Sequence, residues 1–323
     1  MVELMYEKWQ GSINTVQIGA TEKEGGSRCH SIQVGGAKTL PFLFSEGELP
    51  HKPVIAFEIW DTVPRDWPEP LQGCFSGVWN EPLAWAELCV EKFGAKLLCV
   101  RLQAAHPEFE NKSPEQEQAF ISKLLKRVGV PLIIIGCGDD AKDNEVLPAV
   151  SEAAKNERCL LGSAVHDNYR TIVASAIAYG QSIIAESPID VNIAKQLNML
   201  IMDVGLPLER IVIDPTIGAL GYGLEYAYSI MERARLAALA GDRTLACPFL
   251  CFVGQESWRA KEAKATEEEF PDWGNSIKRG ILWEAGTAVA LLQAGADILV
   301  MRHPEAIKAI SEHIEQLYQK GAK

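Results

Sequence analysis

From residue 53 onward the chain alternates between short apolar runs and longer amphipathic stretches. The runs are VIAFEIW (54–60), KLLCVRL (96–102), PLIIIGC (131–137), CLLGSAV (159–165), SIIAES (182–187), RIVIDP (210–215), PFLCFVG (248–254) and DILVMRH (297–303). Each is six or seven residues long and mostly apolar with little polar alternation, the pattern of a strand buried on both faces, as in a parallel sheet. The stretches between them carry helix signals. Ser113–Pro114 and Ser187–Pro188 place a capping side chain before a proline at the first helical position, with Gln116 and Asp190 three residues after each serine. Gly94, Gly129, Gly205, Gly241 and Gly295 are helix stops. Ile307, Ile310, Ile314 and Leu317 form one apolar stripe at helical spacing. Eight strand–helix units joined by right-handed crossovers predict an α/β fold, a (β/α)8 TIM barrel over 53–323, rather than an open doubly wound sheet.

Residues 1–52 read differently. INTVQIG (13–19) and SIQVGG (31–36), separated by a polar stretch, predict a β-hairpin extension that plugs the base of the barrel.

Composition narrows the classes. Of 323 residues, 47% are hydrophobic and 23% charged, enough apolar material for one large core. The net charge of −12 argues against nucleic acid or an anionic membrane as principal partner. The start lacks the apolar stretch of a secretion signal, and no run approaches the ~20 apolar residues of a membrane helix. Eight cysteines, several inside apolar runs, read as free thiols in reducing cytoplasm. Cys247 and Cys251 fall on one face of a strand about 13 Å apart at ~3.3 Å per residue, too far to chelate one metal, so no iron–sulfur cluster is expected in this chain.

Barrel ligands sit at the carboxyl ends of the strands. Those ends carry Asp61, Arg101, Gln103, Asp139, Asp140, His166, Asp167, Asn168, Glu186, Asp214, Thr216, Gln255, Arg302 and His303. Three connections on that side are long: 61–80, 214–223 and 254–275. Their aromatics, Trp67, Trp79, Trp258, Phe270 and Trp273, suit a protein interface, or else fold back onto the barrel. Asp139, His166, Asp167 and Asp214 could form a metal site, but Asp139, Asp140 and Asp167 precede helices and read better as N-caps, so no metal site is expected. A facing carboxylate pair for glycoside hydrolysis has no separation that sequence can supply. GALGYG (218–223) lacks the spacing of a dinucleotide or phosphate loop, and its glycines serve either close approach to a flat ligand or a sharp turn into a helix.

Several long segments together resemble a known family: HDNYRTIVASAIAYG (166–180), ESPIDVNIAKQLNMLIMDVGLPLERIVIDP (186–215), IVIDPTIGALGYGLEYAYSIMERARLAAL (211–239) and GADILVMRHPEAI (295–307). They are similar to the small subunit of the corrinoid iron–sulfur protein and to the delta subunit of the archaeal acetyl-CoA decarbonylase/synthase complex. The resemblance covers most of 53–310. It implies a heterodimer with a large subunit that carries the iron–sulfur cluster and a corrinoid-binding domain, the corrinoid (cobalamin) being enclosed between that domain and this barrel's carboxyl face. It also implies docking of a methyltetrahydrofolate:corrinoid methyltransferase and of acetyl-CoA synthase, in the reductive acetyl-CoA pathway of anaerobes. The chain itself then needs no catalytic acid or base. It lacks the Asp-x-His-x-x-Gly pattern of corrinoid domains and any set of cluster cysteines, the pieces the partner would bring. Candidate cofactor contacts are Asp139, His166, Asn168, Asp214, Thr216, Gly218, Leu220, Gly221 and Tyr222, chosen by position at strand ends. DPTIG (214–218) also resembles the element of pterin-binding barrels in which an aspartate holds the pterin ring. A pterin-dependent methyltransferase is therefore the alternative, and an assembly protein that never touches corrinoid is a third reading.

Overall fold

The computed structural model describes residues 6–321; residues 1–5 of the expected extension and 322–323 of the expected barrel lie outside it. An antiparallel pair, β1 (Thr15–Ile18) and β2 (Ile32–Gly35), precedes eight parallel strands. These are β3 (Val54–Trp60), β4 (Leu98–Arg101), β5 (Leu132–Ile135), β6 (Leu160–Ala164), β7 (Ser182–Glu186), β8 (Ile211–Asp214), β9 (Phe249–Cys251) and β10 (Ala296–Met301). They close into a barrel in the order β10-β3-β4-β5-β6-β7-β8-β9. Each lies within the apolar run that predicts it or differs by one residue. A strand whose two faces are both dry must be apolar throughout, and this is the signal that periodicity carries.

Between them run α1 (Glu69–Cys74), α2 (Pro82–Glu91), α3 (Pro114–Arg127), α4 (Asp140–Ala153), α5 (Tyr169–Tyr179), α6 (Val191–Val204), α7 (Leu224–Leu239), α8 (Val253–Ser257), α9 (Lys261–Lys264) and α10 (Ser276–Ala294), with α11 (Pro304–Gly321) after the last strand. The predicted cap at Ser113 forms: its hydroxyl accepts from the Gln116 amide, and the Gln116 side chain accepts from the Ser113 amide at 2.8 Å. The predicted cap at Ser187 does not. The helix starts later, where Asp190 accepts from the Asn192 and Ile193 amides. Ser187 remains in the rim, its carbonyl accepting from the Thr216 hydroxyl at 2.8 Å. An ionised carboxylate is the stronger acceptor for first-turn donors.

Strand parity divides the interior into two sets. Phe57, Ile59, Leu98, Val100, Ile134, Leu161, Ile213 and Leu299 pack outward against the helices. Ala56, Leu97, Cys99, Ile133, Leu160, Ile184, Val212, Leu250, Ile298 and Val300 fill the lumen. The β1–β2 pair closes the amino end, with Val16, Ile18 and Val34 in that same lumen cluster. Each large side chain of these sets contributes roughly 1.5–3 kcal/mol by burial. No described helix is long and apolar enough to cross a membrane.

Candidate functional site

Carried one step further toward the carboxyl ends, the inward parity becomes mostly charged, Phe252 alone among the following residues staying apolar. Glu58, Arg101, Glu186, Asp214, Phe252 and Arg302 succeed the lumen residues of their strands. Most of them, with Trp60, Gln103, His106, Phe109, Thr216, Gln255 and Arg259, line an open cavity of about 500 Å³ at the barrel mouth. That volume lies in the ~300–1,000 Å³ range of cofactor pockets.

One wall is an ion cluster. Glu58 is fully buried and accepts from Arg302 Nε (2.8 Å) and Nη2 (3.0 Å), Arg101 Nε (3.1 Å) and Trp60 Nε1 (2.9 Å). Burial pushes the Glu58 carboxyl up, but the two guanidiniums and these hydrogen bonds outweigh it and hold it down at about 2. Arg302 also stacks over Trp67, 4.6 Å from the ring centre. Arg101 reaches on to Gln255 Oε1 at 2.8 Å. The cluster closes only because the barrel does, since β3 lies between β4 and β10.

The opposite wall is acidic. Glu186 and Asp214 are register partners on β7 and β8. Burial and the neighbouring Glu186 push the Asp214 carboxyl well above the usual range. Its Oδ1 accepts from the Thr216 amide at 2.9 Å. Thr216 itself has φ +55°, a left-handed conformation that β-branched residues rarely adopt. Asp214 below and Ser187 beside hold it there, and such strain concentrates at ligand sites.

A second buried carboxylate supports the mouth from behind. Glu284 of α10 accepts from the Arg302 amide (2.6 Å), the His303 amide (3.1 Å) and Trp258 Nε1 (2.9 Å). Burial outweighs these bonds and raises it to about 7.

Of the nine candidate cofactor contacts chosen from sequence, Asp214 and Thr216 line the cavity, as do Arg101, Gln103, Glu186, Gln255 and Arg302 of the wider strand-end set. Asp139 caps α4 by accepting from the Lys142 amide. His166 is exposed beside Asp167, and Asn168 is buried, its Oδ1 accepting from the Val165 amide at 2.8 Å. Gly218, Leu220, Gly221 and Tyr222 form the adjoining loop. A Cβ on Gly218 would collide with the Tyr222 carbonyl oxygen, so this glycine is needed for the loop to close on itself. The Tyr222 hydroxyl donates to Glu262 at 2.9 Å and accepts from the Lys261 amide at 3.1 Å. Thus Asp139, His166 and Asp167 do not converge with Asp214. Among the described residues no group of three His, Cys, Asp or Glu could hold a metal ion.

Two of the loop tryptophans expected at an interface fold back instead. Trp67 and Trp258 are buried. Trp67 packs edge-on against Trp60, Trp79 and Trp85, and Trp258 is held by Glu284. Loop composition cannot distinguish a ring that packs inward from one that awaits a partner. Glu58 is missing from the strand-end candidates because it lies inside an apolar run. Its parity with Ala56 is the signal that points to it.

An eight-stranded parallel barrel with a charged cavity open at its carboxyl mouth places the chain among the (β/α)8 barrels. Solved structures show the same fold. Dihydropteroate synthase from Xanthomonas albilineans, in complex with 7,8-dihydropteroate, aligns with TM-score 0.55 at 15% identity over 84% of this chain and 96% of that one. The Thermus thermophilus enzyme aligns with TM-score 0.53 at 16% identity over 87% of this chain and 100% of that one. Sequence comparison is far more specific. Residues 15–318 match the model of the CO dehydrogenase/acetyl-CoA synthase delta subunit, and the chain belongs to that family. Its relatives include acetyl-CoA decarbonylase/synthase complex subunit delta from Methanocaldococcus jannaschii, 36% identical over 95% of this chain and 74% of that protein. The Archaeoglobus fulgidus subunit is 35% identical over 95% of this chain and 68% of that protein.

Proposed function

We propose that this chain is the barrel subunit of a corrinoid iron–sulfur methyl carrier. It covers one side of a corrinoid at its carboxyl mouth, the cofactor being held jointly with a large subunit that also carries the iron–sulfur cluster. It docks the methyltetrahydrofolate:corrinoid methyltransferase and acetyl-CoA synthase in the cytoplasm. The observation that carries this reading is the delta-subunit match over residues 15–318, a span that includes every strand end of the mouth.

The residues at the mouth suit the group. Gln103, Gln255, Arg65 and Arg259 are donors for an amide-fringed macrocycle edge, and Phe109 and Ile217 are apolar neighbours that exclude water. Asp214, whose carboxyl is pushed up by burial and by neighbouring Glu186, faces the cavity beside Thr216. The bound corrinoid would supply the methyl-carrying metal. This chain supplies a rigid rim: Glu58 fixes Arg101 and Arg302, Asp214 fixes Thr216, and Gly218 lets loop 218–223 fold against the rim. Asp139, His166, Asn168, Leu220, Gly221 and Tyr222 are proposed as outer contacts on the same face.

The test is corrinoid retention. The large subunit alone and its complex with this chain would be diluted anaerobically, and corrinoid release followed in the visible spectrum. Slower release from the complex is expected; equal rates would favour an assembly protein that does not touch the cofactor. The alternative, direct turnover of methyltetrahydrofolate, is favoured by one observation, the buried Asp214 facing the cavity. It predicts that the lone chain methylates free cob(I)alamin from a methyl-pterin, and the carrier reading predicts that it does not.

A further inference from the structure

The guanidiniums at the mouth outnumber the carboxylate that holds them. Glu58 faces both Arg101 and Arg302, so the cluster keeps one positive charge in excess. Arg302 places its Nε–Nη2 edge on the two Glu58 oxygens. Arg101 donates from Nε to Glu58 and from Nη2 to Gln255. Among the described residues nothing accepts from Nη1 of either arginine, and neither Nη1 is closed off from solvent. A guanidinium carries five N–H groups in one plane, so each arginine keeps an unused edge of donors.

The surroundings leave that edge open toward the cavity. Both arginines line the cavity and Glu58 does not, so the guanidiniums stand between the carboxylate and the open space. Trp67 covers a face of the Arg302 guanidinium at 4.6 Å, and Phe252 lies 5.4 Å from that of Arg101. Stacking of this kind fixes the plane and spares its edge. Glu284, behind Arg302, binds the Arg302 and His303 amides and does not pair with the guanidinium. Arg259 differs, since Glu256 matches its charge at 2.8 Å. The carboxylates of Glu186 and Asp214 stand across the mouth, β7 being the fourth strand on from β3 in the closed order.

We propose that the Arg101–Arg302 wall is an anion subsite that takes the oxygens of a phosphate or carboxylate group. It goes beyond the carrier reading and does not depend on it. An excess charge in a half-enclosed site is costly without a counter-charge, and an oxoanion supplies one. Its paired oxygens fit the guanidinium fork, a match that a single-point ion such as chloride cannot make. The oxoanion belongs either to the periphery of the corrinoid or to a separate small molecule; both present the same oxygens to the wall.

The probe is inorganic phosphate added to the purified full chain at fixed ionic strength, followed by calorimetric titration and thermal shift, with sodium chloride as comparison. Wild type is expected to bind phosphate saturably and to melt higher in it than in chloride. Arg101→Lys and Arg302→Lys keep a cation against Glu58 and remove the Nη1 edge, and each should weaken phosphate binding about tenfold or more. Their melting curves in chloride show whether they fold, and Arg101→Lys carries the test if the more deeply buried Arg302→Lys does not. Arg127→Gln, on α3 where Arg127 pairs with Glu87, should bind phosphate as wild type does. In the complex with a large subunit the same phosphate separates the two sources. Faster corrinoid release in phosphate assigns the oxoanion to the corrinoid; saturable phosphate binding with unchanged release assigns it to a second, small ligand. Phosphate that acts on the lone chain no differently from chloride, or that binds the folded lysine variants as tightly as wild type, overturns the subsite and leaves the carrier reading standing.

Discussion

Replacing Glu58 by glutamine tests whether the ion cluster is what holds the mouth in shape. The substitution keeps size and removes one negative charge that is fully buried between two guanidiniums, whose side chains are only 12% and 5% exposed. It also turns one acceptor atom into a donor facing other donors, so at least one N–H of Arg101, Arg302 or Trp60 loses its partner. Breaking a buried pair in this way costs about 3–5 kcal/mol. A chain of 323 residues has an unfolding entropy of roughly 0.7 kcal/mol per degree, so the melting temperature should fall by about 4–7 °C. The sign with pH follows from a carboxyl held below its unfolded value. Its contribution is present at neutral pH and is lost only as pH falls from about 4.5 toward about 2. The deficit of the variant should therefore be constant from about pH 6 to about pH 8 and shrink in acid. Calorimetry of wild type and Glu58→Gln across that range and in acid reads both. A variant that melts within about 1 °C of wild type at neutral pH would refute the reasoning, because the two arginines would then not depend on Glu58.

Three further outcomes follow from the same geometry. Glu284 is raised to about 7 by burial, so it binds a proton more readily folded than unfolded. Its contribution falls as pH rises from about 4.5 to about 7, and wild type should lose melting temperature across that window relative to Glu284→Gln, measured by thermal shift. Gly218→Ala places a methyl against the Tyr222 carbonyl; overpacking of this kind costs about 1–3 kcal/mol, readable in chemical denaturation. Tyr222→Ala removes the tether to Glu262 and the Lys261 amide and should lower cobalt retained by the purified complex, measured by elemental analysis, with little change in chain stability.

Much of the fold is legible in the chain because parallel strands must be apolar on both faces. VIAFEIW, PLIIIGC and RIVIDP could hardly be anything but buried strands, and the polar turn between 19 and 31 marks the hairpin. The mouth is legible in part. Arg101, Glu186, Asp214 and Arg302 stand at strand ends where polar groups need a reason. What the linear pattern cannot carry is which strand neighbours which across the closure. Glu58 and Arg302 are 244 positions apart and meet only because β10 pairs with β3. The same limit applies to Trp67 and Trp258, whose burial depends on partners in other elements. The cap at Asp190 rather than Ser187 is a local competition between two acceptors, decided by acceptor strength.

The most direct test of the account is to purify the chain anaerobically with and without the proposed large subunit and to record native mass, cobalt content and visible spectrum. The account predicts a colourless lone chain and a cobalt-bearing heterodimer, with corrinoid bound more firmly than by the large subunit alone. A lone chain that carries cobalt itself, or a large subunit whose mass, cobalt and spectrum are indifferent to this chain, would contradict it.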